Sequence, residues 1–102
     1  MQYKKSFDNI AWEQVAPGMK QKTLHVNGKQ LKLIQLQDDF IEHDWCTKAH
    51  LGLVLSGEMN IDFNGIKTPY KKNDVLTIPA GESSKHKAII AKGKSVTLFE
   101  AL

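Results

Sequence analysis

The residues of this chain with the greatest capacity for chemistry lie in one short segment, where His43, Cys46 and His50 follow one another within eight positions. Thiolate and imidazole are ligand types that suit Zn²⁺ or Fe²⁺. The same residue types would also allow Cys46 to act as a nucleophile with His50 as its base. A lone cysteine is, in addition, often a small buried hydrophobic residue. The secondary structure of the segment decides which of these side chains can meet.

Two backbone conformations are compatible with this segment, and each brings different residues together. On a helix, His43, Cys46 and His50 share one face. On a strand, Asp44, Cys46, Lys48 and His50 share a face and His43 lies on the other. The apolar run that follows contains a glycine, which inside a helix costs about 1 kcal/mol and so favours the strand. On a strand, the face that carries these polar side chains either lines a pocket or is exposed to solvent on the outside of the protein. Lys48 would bind an anionic substrate in the pocket and would need no special role on the exterior.

Short strands separated by turn signals run through most of the chain. Asn27-Gly28 and Asn64-Gly65 each separate two strand-like segments, and both dipeptides suit the positive φ angles of a type I′ hairpin. Met59, Ile61 and Phe63 alternate with polar residues, which indicates one buried and one wet face. Many short strands at even spacing are typical of a sandwich or a barrel. The chain is therefore predicted to be all-β, with a single domain over residues 1–102.

Residues 1–16 are predicted to form an N-terminal arm or a short helix, and residues 17–102 the barrel. Asp8 is a suitable N-cap for a helix over Asp8–Ala16, which Pro17-Gly18 would end. The segment Leu51–Leu55 is apolar on both of its strand faces, and such a strand is buried on both. A second subunit could cover the outer face, which predicts a homodimer. The alternative cover is the N-terminal segment of the same chain.

Charge and composition exclude several classes of partner. The net charge of +3 is scattered, whereas a nucleic-acid interface usually needs a basic stripe, so no nucleic-acid partner is predicted. The apolar runs are far shorter than a membrane span of about 18 residues, so no membrane partner is predicted either. One cysteine excludes an internal disulfide framework. The N-terminus has no apolar stretch behind its lysines, which predicts a cytoplasmic protein.

The segment Asn73–His86 resembles the second signature of the cupin family, in which a proline, any residue and a glycine precede a histidine. Pro79-Ala80-Gly81 carries that match, and His86 follows after a loop longer than the family's. The segment Val54–Gly57 and the Asn64-Gly65 hairpin extend the resemblance. It implies a single-domain, cupin-like jelly-roll β-barrel.

The first cupin signature, aligned on the glycine at position 57, supplies the remaining candidates. His50 takes the position of the family's glutamate, Cys46 that of its second histidine and Asp44 that of its first. With the longer spacer that the family allows, His43 is the substitute for Asp44. Since many cupins hold a divalent metal at these positions, the resemblance implies a site for Zn, Fe, Mn or Ni made by Cys46, His50, His86 and Asp44. The alternative is a polar pocket without metal, where His50 and His86 bind a ligand by hydrogen bonds.

Three functions are compatible with such a barrel, because cupins support many kinds of chemistry. The first is a metal-dependent enzyme, a dioxygenase, isomerase or lyase, that acts on a small polar metabolite. The alternative is a metal-free module that binds a small-molecule ligand such as a sugar or an organic acid. A dimeric structural protein with a vestigial pocket is the third.

Overall fold

The computed structural model describes residues 3–101, and the regular secondary structure in them consists of antiparallel strands and two short 3-10 turns. The strands are β1 (Glu13–Ala16), β2 (Met19–Val26), β3 (Lys29–Gln37), β4 (His50–Phe63), β5 (Ile66–Lys71), β6 (Val75–Ile78), β7 (Lys87–Ile89) and β8 (Ser95–Ala101). Two short 3-10 turns cover Phe7–Asn9 and Glu82–Ser84. No helix in this described part is long and apolar enough to cross a membrane. The all-β prediction is confirmed.

Strand β4 organises the barrel, because it pairs with four other strands. Its first half pairs with β6 and β8, and its second half pairs with β5 and β7. The register shifts between Val54 and Ser56, and Gly57 follows with a φ of 78°. Such bulges bend a strand and increase its twist. The hydrogen-bonded order through the sheet is β1-β2-β3-β8-β4-β5. The sheet is curled, and the concave side is called its inner face.

The inner face of the curled sheet carries the hydrophobic core. Met59 and Ile61 are buried, as their alternation with polar residues predicts, and Val96 and Leu98 are buried in the same way on β8. The full buried core is Ile34, Leu36, Val54, Met59, Ile61, Leu76, Ile78, Ile90, Val96 and Leu98.

Both predicted hairpins are present. Asn27 and Gly28 have φ angles of 51° and 77°, and Asn64 and Gly65 have φ angles of 53° and 105°. Two successive positive φ angles are the requirement of a type I′ turn, whose twist matches that of the flanking strands. These turns fix the β2–β3 and β4–β5 registers.

The helix that was one of the two alternatives for Asp8–Ala16 does not form. Only Phe7–Asn9 forms a 3-10 turn, and its N-cap is Ser6, whose side chain accepts a hydrogen bond from the backbone N–H of Asp8. Residues Glu13–Ala16 instead form β1 and pair with β2. A helix of nine residues is marginal on its own, whereas the turn at Pro17-Gly18 brings this segment onto a strand that supplies hydrogen bonds.

The face of β4 that carries Leu51, Leu53 and Leu55 points away from the core. Val54, on the opposite face, is fully buried, whereas Leu51 is 57% exposed and Leu55 is 39% exposed. The N-terminal segment covers part of this outer face, since the Phe7 ring packs edge-on against Phe99 at 6.4 Å. Phe99 is the register partner of Leu53. Cover by the same chain is therefore partial.

Candidate metal centre

Cys46 and His86 are brought together by their own backbones. The two residues form an isolated antiparallel bridge in which each N–H donates to the carbonyl of the other, at 2.8 and 3.0 Å. Directly opposed residues on antiparallel chains place their side chains on the same face. The Gly81 N–H donates to the Thr47 carbonyl at 2.9 Å and holds the loop before His86 against the same segment. The thiol and the imidazole are therefore neighbours although they are 40 positions apart in the sequence.

His50 completes a group of three side chains from the first residue of β4. Its Nε2 lies 3.7 Å from the Sγ of Cys46, and its ring stands edge-on to that of His86 with centroids 4.9 Å apart. One donor atom from each of Cys46, His50 and His86 lies within 4.8 Å of the other two. Donors bound to one tetrahedral metal at bond lengths of about 2.0–2.3 Å are about 3.3–3.8 Å apart. A contraction on the order of 1 Å would therefore allow all three to bind one ion.

The imidazole of His86 has one nitrogen that is paired and one that is not. The ring is buried, at 4% exposure, and its Nδ1 lies 2.9 Å from the carbonyl oxygen of Ser84. Because a carbonyl only accepts, Nδ1 carries a proton, so that in the neutral ring Nε2 presents a lone pair. Among residues 3–101, nothing donates to this buried Nε2. A buried polar atom without a partner costs about 1–3 kcal/mol, so its presence calls for an explanation.

His50 is oriented by a carboxylate on its other side. Its Nδ1 forms an ion pair with the Oε1 of Glu100, which is only 3% exposed. The hydrogen bond to Glu100 is the main reason why the pKa of His50 is raised from 6.5 to about 9, and it outweighs the burial that lowers this pKa. This contact holds the Nδ1 proton and directs Nε2 at Cys46. Carboxylate–histidine pairs of this kind commonly orient metal ligands.

Gly52 makes the space that Glu100 occupies. The two residues are register partners on β4 and β8. A Cβ at position 52 would lie 2.9 Å from the Cγ of Glu100 and would overlap the backbone oxygen of Phe99. Only glycine therefore lets β8 approach closely enough for Glu100 to reach His50. Glycine is required at position 52 because it has no side chain, and not because of its backbone conformation, since Gly52 has no positive φ.

Glu100 is a site residue beyond those predicted, although its position in the sequence carries a signal. Glu100 follows Val96 and Leu98 at a spacing of two, so it lies on the inner face of β8. A charged residue that continues a buried row indicates a buried partner.

The other predicted site residues have different positions. Asp44 and His43 are both exposed, and the structure does not bring either into the group of Cys46, His50 and His86. Regular β4 begins only at His50, so the alternation assumed for Asp44 does not extend through the irregular residues before it. Lys48 is exposed but contributes to the wall of the cavity described next.

A cavity of about 590 Å³ opens beside the three potential ligands and beside Glu100. Most of its wall is apolar and includes Ile34, Phe40 and Met59. Its volume lies within the range of about 300–1,000 Å³ that is usual for small-molecule sites. The carboxylate of Glu42, also in the wall, accepts a hydrogen bond from the Ala88 N–H at 2.8 Å and so ties the loop before Cys46 to β7.

Comparisons with known proteins identify the fold. No family model matches the sequence, and no curated protein shows significant similarity. Among solved structures, the chain is similar to the polyketide cyclase RemF from Streptomyces resistomycificus, with 17% identity over 99% of this chain and 78% of that one and a TM-score of 0.77. It is also similar to an RmlC-like cupin from Shewanella frigidimarina, with 15% identity, coverage of 99% and 89%, and a TM-score of 0.76.

A sugar phosphate isomerase of the cupin superfamily from Silicibacter pomeroyi is similar as well, with 16% identity, coverage of 96% and 73%, and a TM-score of 0.74. At such identities a likeness concerns the architecture alone. The similarity extends over nearly the whole chain. The chain therefore has the cupin fold, a small jelly-roll β-barrel.

Proposed function

We propose that Cys46, His50 and His86 hold a divalent metal at the edge of the cavity, and that the protein acts on a small polar metabolite bound there. The observation that carries this proposal is the buried Nε2 of His86, which has a lone pair and no partner in the described chain. A metal would satisfy it. Thiolate and two imidazoles favour Zn²⁺ or Fe²⁺, and Mn²⁺ and Ni²⁺ are further candidates. Three protein ligands leave a coordination position open, as catalytic sites require.

The residues around the site have separate roles in this proposal. A bound metal would supply Lewis acidity or activate oxygen, which fits an isomerase, a lyase or a dioxygenase. Glu100 holds the Nδ1 proton of His50, and the Ser84 carbonyl holds that of His86, so that Nε2 is the nitrogen of each ring that would bind the metal. The apolar cavity wall restricts water around the substrate. The printed names of a polyketide cyclase and a sugar phosphate isomerase support a small-molecule substrate.

The second candidate function is metal-free binding of a small molecule such as a sugar or an organic acid. The volume and the largely apolar wall of the cavity support this function, because both are typical of small-molecule sites and neither depends on a metal. Under this proposal the imidazoles of His50 and His86 bind the ligand by hydrogen bonds. A cytoplasmic location belongs to both proposals, because a reducing compartment keeps a lone thiol such as Cys46 available.

Zn²⁺ binding to the chelator-treated full chain is expected to displace a proton from His50. With a pKa of about 9, the metal-free imidazole is protonated at pH 7, and Nε2 must lose its proton before it binds a metal. The apparent affinity should therefore rise at least about tenfold per pH unit between pH 7 and pH 9. Calorimetric titration in buffers of different ionisation enthalpy measures both the affinity and the protons released.

Glu100→Gln is the matched variant for this measurement. Without the carboxylate, the pKa of His50 falls toward its ordinary value, so the contribution of His50 to the pH dependence above pH 7 disappears. At pH 9 the variant should bind Zn²⁺ about 10–100-fold more weakly, because His50 is less well oriented. If wild-type protein takes up no Zn²⁺, Fe²⁺, Mn²⁺ or Ni²⁺, the metal proposal is wrong and metal-free binding takes its place.

A homodimer through the outer face of β4 is part of the same proposal. Leu51, Leu55 and Val75 are large apolar side chains on that face, and the last is 54% exposed. Leu51→Glu is expected to convert a dimer into a monomer at micromolar concentration in small-angle scattering, because two copies of the charge would face each other. Ile66→Glu, in the exposed β4–β5 hairpin, is the control and should leave the dimer intact. A monomeric wild-type protein would contradict the proposal.

A further inference from the structure

We infer that the cavity binds an amphipathic carboxylate, a small organic acid whose anionic group is recognised by Lys32. The inference names a ligand class for the small-molecule function proposed above, but it does not depend on the metal. It concerns the inner face of β3, which forms one wall of the cavity.

The side chains of β3 that face the cavity are polar at the start of the strand and apolar at its end. Gln30, Lys32, Ile34 and Leu36 alternate on one face of the strand, and all four line the cavity. Ile34 and Leu36 are buried in the core, whereas Lys32 is partly buried and Gln30 lies beyond it. At about 3.3 Å per residue, the distance from Lys32 to Leu36 is about 13 Å. A ligand along this row would meet a cation at one end and hydrocarbon at the other.

The charges around the cavity leave the lysines without acceptors. Both cavity carboxylates are already engaged, that of Glu100 by His50 and that of Glu42 by the Ala88 N–H. Within residues 3–101, neither Lys32 nor Lys48 has a carboxylate within 4.0 Å or a side-chain hydrogen bond. A partly buried ammonium is stabilised by an opposite charge. Among the described residues, the two lysines of the cavity therefore have no paired anion that a ligand would have to displace.

The position of Lys32 also relates the anionic group to the candidate metal centre. Lys32 is the register partner of Glu100, which contacts His50. The head group of a bound carboxylate would thus lie one strand away from the residue that orients His50. Lys48, on the loop between Cys46 and His50, lines the same cavity and adds positive charge there. The substrate's anionic end, not its apolar tail, is placed near the reactive group.

Three probes of equal chain length test this inference in calorimetric titrations of the full chain after chelator treatment: octanoate, 1-octanol and octylammonium. Octanoate is expected to bind more tightly than octanol, and octylammonium not at all. Lys32→Gln should weaken octanoate binding about 10–100-fold, as the loss of a charge-assisted hydrogen bond predicts, and should change octanol binding less than twofold. Lys32→Arg keeps the charge and should retain most of the affinity. Lys29→Gln, an exposed lysine at the start of the same strand, is the control.

Equal affinities for octanoate and octanol, failure of all three probes to bind, or an unchanged octanoate affinity in Lys32→Gln would each overturn the inference. A parallel titration of Zn²⁺-loaded protein separates it from the metal proposal. If octanoate binds only with Zn²⁺ and independently of Lys32, the metal recognises the anion, which supports the proposed function and refutes the role of Lys32. If octanoate binds through Lys32 but Zn²⁺ does not bind, only the metal proposal fails.

Discussion

Substitution His86→Leu is expected to lower Zn²⁺ affinity by about two orders of magnitude or more while leaving the metal-free protein nearly as stable as the wild type. Structural zinc sites with four protein ligands gain about 10–16 kcal/mol, so one ligand contributes about 3 kcal/mol. The effect on folding is small because two effects oppose each other. The variant loses the hydrogen bond to the Ser84 carbonyl, which is worth about 1 kcal/mol, and removes a buried nitrogen whose lack of a partner costs about 1–3 kcal/mol.

Thermal and urea unfolding with and without Zn²⁺ measure both parts of this prediction. At a free Zn²⁺ concentration about 100 times the wild-type Kd, the wild type should gain about 2.7 kcal/mol in the free energy of unfolding, and the variant should gain about 0.4 kcal/mol or less. The metal-free proteins should differ by less than about 1 kcal/mol.

His43→Leu and Asp44→Asn are the matched controls, because both residues are exposed and lie outside the group of three donors. They should leave Zn²⁺ affinity within about twofold of the wild type, since neither changes a ligand. A large loss of affinity in Asp44→Asn would show that the loop before Cys46 rearranges to supply a fourth ligand. An unchanged affinity in His86→Leu would contradict the proposed centre directly.

The sequence was sufficient for the features that depend on local chemistry. The two Asn-Gly turns and the alternation around Ile61 predicted the hairpins and the inner face, because backbone conformation and periodicity are local properties. The motif resemblance predicted Cys46, His50 and His86 as a group, and the structure brings these three together.

Non-local register explains most of what the sequence analysis did not predict. Glu100 meets His50 only because β8 pairs with β4 opposite Gly52, and no pattern within either strand specifies that pairing. Asp44 takes a ligand position in the motif alignment and shares a face with Cys46 and His50 only on a continuous strand, but the regular strand begins at His50. In the N-terminal arm, pairing with β2 overrides the weak helix signals that begin at Asp8.

The free energy of unfolding should fall by about 3 kcal/mol in Gly52→Ala, although the change adds one methyl group and the backbone at this position has no positive φ. The new Cβ would overlap the Phe99 carbonyl oxygen, which belongs to the sheet and cannot rotate away as a side chain can. Strands β4 and β8 must therefore separate where they form the centre of the barrel. The same Cβ would lie 2.9 Å from the Cγ of Glu100 and displace the carboxylate from His50. Zn²⁺ affinity should consequently fall about 10–100-fold, as in Glu100→Gln.

Gly28→Ala separates this effect from the general cost of replacing a glycine. Gly28 has a φ of 77° in the β2–β3 turn, and a Cβ there would meet nothing within 4 Å. Its substitution should cost about 1–2 kcal/mol through backbone strain and should leave Zn²⁺ affinity unchanged. Urea unfolding and Zn²⁺ titration of both variants distinguish strain in a turn from crowding between β4 and β8. If Gly52→Ala kept wild-type stability and affinity, the close approach of the two strands would not be what positions Glu100, and the orientation of His50 would have to come from elsewhere in the barrel.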